Sequence, residues 1–159
     1  ADRLKDIPQQ AVWAVVFRSL TREGQFDPAF DLLRRYPVAE KSIYASEVVS
    51  VGQALQREDV VFKFLPLANP IPLAKAQILS QVAQWQLAKG QKAAFEKTMK
   101  DAVSSARRIS ASERDPMLTE LILLYARSGN SRQALRLVSR IQDVTGRDRI
   151  RQEVGCLND

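Results

Sequence analysis

The chain has 159 residues, of which 45% are hydrophobic and 26% are charged, with one cysteine and no histidine. This balance is typical of a folded globular chain, so we expect a single domain spanning residues 1–159. The lack of histidine excludes Ser-His-Asp and Cys-His nucleophilic sites and His-ligated zinc, and a lone Cys156 excludes an intrachain disulfide.

Positive charge is concentrated in the second half of the chain. Residues 81–159 carry fourteen Lys and Arg against nine Asp and Glu, which accounts for most of the net charge of +6. An anionic partner would be drawn to that half. No apolar run approaches the roughly 20 residues of a membrane-spanning helix. The sequence begins with Ala1. Removal of an initiator Met and cleavage of a signal peptide would both leave such a first residue, so a cytoplasmic and a periplasmic location both stay open.

Apolar residues recur at helical spacing along most of the chain, and strand-like alternation is hard to find. Clear helical stripes run from Val12 to Leu20, from Leu79 to Leu87, from Leu118 to Tyr125 and from Ala134 to Ile141. The pattern predicts an all-α chain of about four helix pairs, followed by a capping helix. The predicted pairs cover residues 8–36, 38–68, 72–109 and 114–142, and the predicted cap covers residues 147–155.

Three glycines separate the helices within these pairs. Gly24, Gly90 and Gly129 each follow one apolar helical pattern and precede another, which predicts a helix end in the left-handed conformation. A fourth turn without glycine is predicted at residues 57–59.

Prolines punctuate the pattern at helix starts and connections. Asp27-Pro28 and Asp115-Pro116 are interpreted as an N-cap followed by the first helical residue. Pro66 is expected to stop or kink its helix, which should therefore be short.

These features resemble tetratricopeptide repeats (TPRs), in which each helix pair has a large residue early in its first helix, small residues at helix contacts and a turn glycine. In the second helix pair, Gly52 occupies a position that is small in the family, and Asp59 stands in place of the turn glycine. Other stretches resemble divergent bacterial helical repeats, and HEAT and Sel1-like solenoids stay open as alternatives. The matching residues of the first, third and fourth helix pairs are, in that order, Trp13, Phe17, Leu20, Gly24 and Ala29; Leu79, Ala83, Gln86, Gly90 and Phe95; and Leu118, Ile122, Tyr125, Gly129 and Ala134.

The resemblance implies a right-handed α-α superhelix, a TPR-like solenoid whose first helices line a concave surface. It further implies a non-catalytic protein–protein interaction module or adaptor that binds a partner peptide or protein surface there. Gln can bond the main chain of a peptide, and Arg suits a carboxylate. The alternative interpretation is that the residues predicted to line this concave surface, given next, are ordinary solvated helix positions. The implied partner-binding residues are Arg18, Arg22, Gln53, Arg57, Gln81, Gln84, Glu120 and Arg127, with Trp85 as a partly exposed anchor; Trp13 is expected in the core.

A second hypothesis is a basic, HEAT-like solenoid that binds nucleic acid. Arg132, Arg136 and Arg140 recur every four residues and form an arginine stripe, opposite the apolar face of their helix. Interleaved aromatics for base stacking are missing, and only Trp85 with Glu120 offers an aromatic beside an acid. We therefore favour a solvated stripe, with a protein or membrane contact and then nucleic acid as alternatives.

No pattern indicates catalysis. The pairs Glu58-Asp59 and Glu113/Asp115 fall at a turn and a helix start, where acids favour helix N-termini. No glycine-rich phosphate loop or cysteine cluster is present. We expect no enzyme activity, cofactor or metal. We expect the partner to be a protein or peptide, and the excess of positive charge favours an acidic one. The oligomeric state stays open.

Overall fold

The computed structural model describes residues 9–35 and 40–156. Of these, 82% are helical and none lies in a strand, which confirms the predicted all-α class. The bounds predicted at residues 8, 36 and 38 lie outside the described residues. The helices are α1 (Gln9–Arg22), α2 (Phe26–Arg35), α3 (Lys41–Ala54), α4 (Glu58–Ala68), α5 (Pro72–Ala88), α6 (Lys92–Ala106), α7 (Ala111–Arg127), α8 (Ser131–Val138) and α9 (Val144–Cys156).

The chain forms two compact units, one ending at Asn69 and the other beginning at Pro70. In unit 1, which contains α1 to α4, aromatic side chains join α1 to α3. Trp13 and Phe17 stack with ring centroids 5.3 Å apart, and the edge of Tyr44 meets both rings at 4.7 and 5.5 Å. Trp13 is buried, so its predicted place in the core is confirmed.

Gly52 allows α3 and α4 to approach closely. It is buried, and a Cβ atom at this position would lie 3.1 Å from Val60 Cγ1 and 3.1 Å from Val61 Cγ2. Such a distance is shorter than ordinary carbon–carbon contact. The small residue is therefore required by packing, as its predicted place at a helix contact implies.

In unit 2, which contains α5 to α9, α7 packs against α5, α6, α8 and α9. Its buried face includes Leu118, Leu121 and Ile122, and the ring of Tyr125 meets Phe95 of α6 edge-on at 6.0 Å. The last helix, α9, buries Ile150 and Val154 while packing on α7 and α8. A helix is thus present where the cap was predicted.

Four turns close the four helix pairs with the same hydrogen-bond pattern. The left-handed residues are Gly24, Gln56, Gly90 and Gly129, with φ of 72°, 52°, 69° and 79°. In each, the left-handed residue donates its N–H to the carbonyl three residues back, and the next residue donates to the carbonyl five residues back from itself. This is the Schellman motif, which satisfies carbonyls at a helix end. The predicted conformation of the three glycines is confirmed.

The fourth turn corrects the sequence-based register. Gln56, not Asp59, takes the place of the turn glycine, and Asp59 lies in the first turn of α4. The turn is therefore about three residues earlier than predicted. A left-handed glutamine gives no sequence signal, because non-glycine residues seldom adopt positive φ.

The two predicted N-caps that precede prolines were also wrong. α2 begins at Phe26 and α7 at Ala111, so Asp27 and Asp115 are not N-caps. Pro28 lies in the first turn of α2, where backbone N–H groups have no intrahelical partner to lose. Asp115 instead accepts hydrogen bonds from the backbone N–H groups of residues 142 and 143, at 3.0 and 3.1 Å, just before α9. Pro66 does not end α4, which continues to Ala68.

Candidate functional site

The predicted site residues of unit 1 fall into two places. Arg18 lies on α1 and donates hydrogen bonds to both carboxylate oxygens of Glu47 on α3, at 3.3 and 3.1 Å. Its guanidinium also lies 5.7 Å from the ring centroid of Tyr44. Because its side chain remains 53% exposed, Arg18 can still contact a partner from this ion pair. Arg22 is exposed at the end of α1, and Gln53 is half-buried on α3.

Arg57 does not lie on a first helix. It occupies the N-cap position of α4, where its guanidinium pairs with Asp59 at 2.6 Å and lies 5.6 Å from the ring centroid of Phe26. The hydrogen bond from Arg57 lowers the pKa of Asp59 below its ordinary value. Arg57 therefore lies at the start of α4, and not on a first helix as the sequence-based register predicted.

In unit 2, a polar cluster joins the first helices of the two pairs. Ser80, fully buried on α5, donates a hydrogen bond to Glu120 of α7, and Gln84 Nε2 donates to Glu120 Oε1 at 3.5 Å. Two residues predicted from separate repeats, Gln84 and Glu120, are thus brought together. The remaining predicted residues lie on the same two helices: Gln81 and Arg127 are exposed and Trp85 is half-buried.

Beside this cluster lies a hollow between α5 and α7, here called the α5–α7 groove. Its volume is about 320 Å³, within the range of small-ligand and side-chain pockets. Apolar atoms dominate its wall, and two carboxylates stand on it. Only Glu120 among its residues was predicted, because Leu73 and Met117 have the periodicity of core residues. The lining residues are Leu73, Gln77, Ser112, Glu113, Pro116, Met117 and Glu120.

Arg132 and Arg136 of the arginine stripe lie on α8 as the sequence spacing predicted, but Arg140 lies in the turn after α8, which ends at Val138. Arg132, Arg136 and Arg140 are exposed, while Leu137 and Val138 on the opposite face of α8 are buried. Tyr125, the nearest aromatic along the chain, is only 4% exposed. Base stacking on this ring is therefore excluded in this arrangement, since stacking needs an open ring face.

The carboxylate pairs serve helix starts. Glu58 and Asp59 are in the first turn of α4, and Glu113 is in the first turn of α7, where acids interact favourably with the helix dipole. Across the described ranges, no group of three or more His, Cys, Asp or Glu side chains could hold a metal ion. Cys156 is exposed at the end of α9.

None of the helices in the described part of the chain is long and apolar enough to cross a membrane. Comparison with protein-family models, with curated proteins and with solved structures gave no significant match.

Proposed function

We propose that this chain is a TPR-like helical-repeat module that binds a partner peptide or protein surface without catalysing a reaction. The observation that carries the proposal is the recurrence of one turn, with the same pair of hydrogen bonds, at Gly24, Gln56, Gly90 and Gly129. Repeated helix pairs of this kind are used for partner recognition in solenoid proteins. The superhelical arrangement and the adaptor role are both part of the proposal.

Within unit 2, the partner binds along α5 and α7, the first helices of their pairs. The α5–α7 groove offers an apolar floor at Leu73 and Met117 for one or two partner side chains. Glu113 and Glu120 stand beside that floor, so a basic residue next to the apolar one would find a carboxylate. Burial of a few central side chains usually supplies most of the affinity of such contacts.

Amides next to the groove suit the main chain of an extended peptide. Gln77 lines the groove, and Gln84 donates a hydrogen bond to Glu120, which lines it. Each amide can both donate and accept a hydrogen bond, as a peptide main chain requires. Gln81 and Arg127 extend the polar surface along the same helices, and Trp85 supplies a half-buried aromatic edge. In unit 1 the corresponding residues are Arg18, Arg22 and Gln53.

The test is a peptide selected from a random display library against the whole chain, followed by affinity measurements on matched variants. Gln77→Trp fills the α5–α7 groove, whereas Gln152→Trp makes the same exchange at an exposed position of α9. Loss of the central contact should weaken binding by about ten-fold, equivalent to about 1.4 kcal/mol, for Gln77→Trp alone. Equal affinities of the two variants would place the site elsewhere.

A further inference from the structure

A second hollow in unit 2 lies between the second helices of the last two pairs, α6 and α8. Lys100 and Arg107 contribute from α6 and its C-cap, and Arg136 and Arg140 contribute from α8 and the turn after it. The volume of this α6–α8 groove is about 400 Å³. On each side its residues span seven positions, or roughly 10 Å of helix. Two of the three arginines of the stripe, Arg136 and Arg140, therefore belong to a surface formed by two helices, whereas Arg132 lies outside it.

Among the residues that the structure describes, no acidic side chain compensates the charge of the α6–α8 groove. None of its lining residues is acidic, and none of its four cations forms an ion pair within residues 9–35 and 40–156. A hollow in unit 1 shows the contrast, because its Lys63 pairs with Asp27 and its Arg57 with Asp59. Four cations facing one groove raise the local concentration of an anion.

The floor of the α6–α8 groove is apolar. Val103 of α6, Leu137 of α8 and Tyr125 of α7 line it, with exposed fractions of 8%, 6% and 4%. An apolar floor between cationic walls fits a polypeptide that carries both apolar and acidic side chains. A single-stranded nucleic acid would present phosphates to the walls but would meet no open aromatic face on which to stack its bases, because Tyr125 is only 4% exposed.

We propose that the α6–α8 groove binds an acidic polypeptide segment, whose carboxylates contact Lys100, Arg107, Arg136 and Arg140 while an apolar side chain rests on Val103 and Leu137. Planar guanidinium groups suit this task because each can donate two parallel hydrogen bonds to one carboxylate. The groove is distinct from the α5–α7 groove, so the two surfaces could hold separate segments.

The test measures fluorescence anisotropy of a dye-labelled peptide of Glu and Leu residues with the whole chain. Arg107→Gln with Arg140→Gln removes two charges from the groove, and Arg132→Gln with Arg149→Gln removes two exposed charges outside it. Ser104→Trp fills the groove without changing the charge, since Ser104 is exposed on its wall. The comparison probes are a Lys and Leu peptide and a single-stranded DNA oligonucleotide.

Binding of the Glu and Leu peptide should fall about ten-fold in the groove pair and in Ser104→Trp, with less than about a two-fold change in the control pair. Equal losses in the two charge pairs would mean diffuse attraction to a basic surface and would overturn the proposal. An unaffected Ser104→Trp variant would do the same. Tighter binding of the oligonucleotide than of the peptide would assign the groove to nucleic acid instead, and absence of saturable peptide binding would also reject the proposal.

Discussion

Replacing Gln56 by glycine should stabilise the chain. Gln56 has a φ of 52° in a turn where the three equivalent residues are glycines. The left-handed conformation costs an L-residue about 1–2 kcal/mol and costs glycine almost nothing. Glycine also gives the unfolded chain more freedom, which offsets about 0.4–1 kcal/mol of that gain. Because Gln56 is exposed and little packing is lost, we expect a net gain of about 0.5–1 kcal/mol.

Urea denaturation followed by circular dichroism would measure this gain as a higher midpoint at an unchanged slope. Gln77→Gly is the matched control, since it makes the same exchange inside α5, where glycine costs about 0.5–1 kcal/mol. The two variants should therefore shift stability in opposite directions. The reverse exchange, Gly129→Val, should cost about 1 kcal/mol or more, although no atom lies within 4 Å of its Cβ position. If Gln56→Gly destabilises as much as Gln77→Gly does, the left-handed turn at Gln56 is refuted.

Three further predictions follow from packing and ionisation. Gly52→Leu should destabilise the chain by about 2 kcal/mol or more, because even a Cβ meets two valines of α4 at 3.1 Å; an unchanged urea midpoint would contradict the close contact. Burial raises the pKa of Tyr125 to about 12, with a smaller effect of Glu96. The stabilisation that the neutral phenol gives the folded chain should therefore be full below about pH 10 and lost as the pH rises towards 12. Tyrosinate absorbance would measure this titration, and an ordinary tyrosine pKa would contradict the burial. Arg57 lowers the pKa of Asp59, so the stabilisation from this ion pair should be present above the ordinary pKa of aspartate and lost as the pH falls below it. Arg57→Gln should raise the pKa of Asp59 in a carboxyl NMR titration. An unchanged pKa would show that the ion pair is absent.

Local sequence signals were sufficient for much of the fold. The helical period at Leu118, Leu121 and Ile122 depends only on which side of one helix faces the core, so it predicted α7 before any packing was known. Gly24 and Gly129 were equally informative, because a helix end in the left-handed conformation strongly favours glycine. These are properties of short segments, and sequence reasoning reads short segments well.

The second turn shows where local signals fail. The left-handed conformation of Gln56 occurs where α3, with Gly52 at its contact, packs closely on α4. That packing brings together residues from two helices, and nothing in the residue type of Gln56 indicates it. The resulting register error placed Arg57 on a first helix, although it occupies the N-cap position of α4.

The two grooves were missed for a related reason. Each is formed by two helices that are distant in sequence, and residues such as Leu73 and Met117 have the same spacing as core residues. The cations at Lys100 and Arg107 stand seven residues apart, which places them on one face of a helix. That signal could have been found, but the pairing of this face with the arginine stripe required the structure.

Binding of a partner peptide along α5 and α7 is the proposal on which the assigned function depends. An amide chemical-shift map of the whole chain, titrated with the library-selected peptide, tests it most directly. We expect the largest shifts to surround the α5–α7 groove, at Gln77, Met117 and Glu120, and we expect Gln77→Trp to remove them. Shifts that are largest along α6 and α8, or that spread evenly over the chain, would contradict the placement of the binding site.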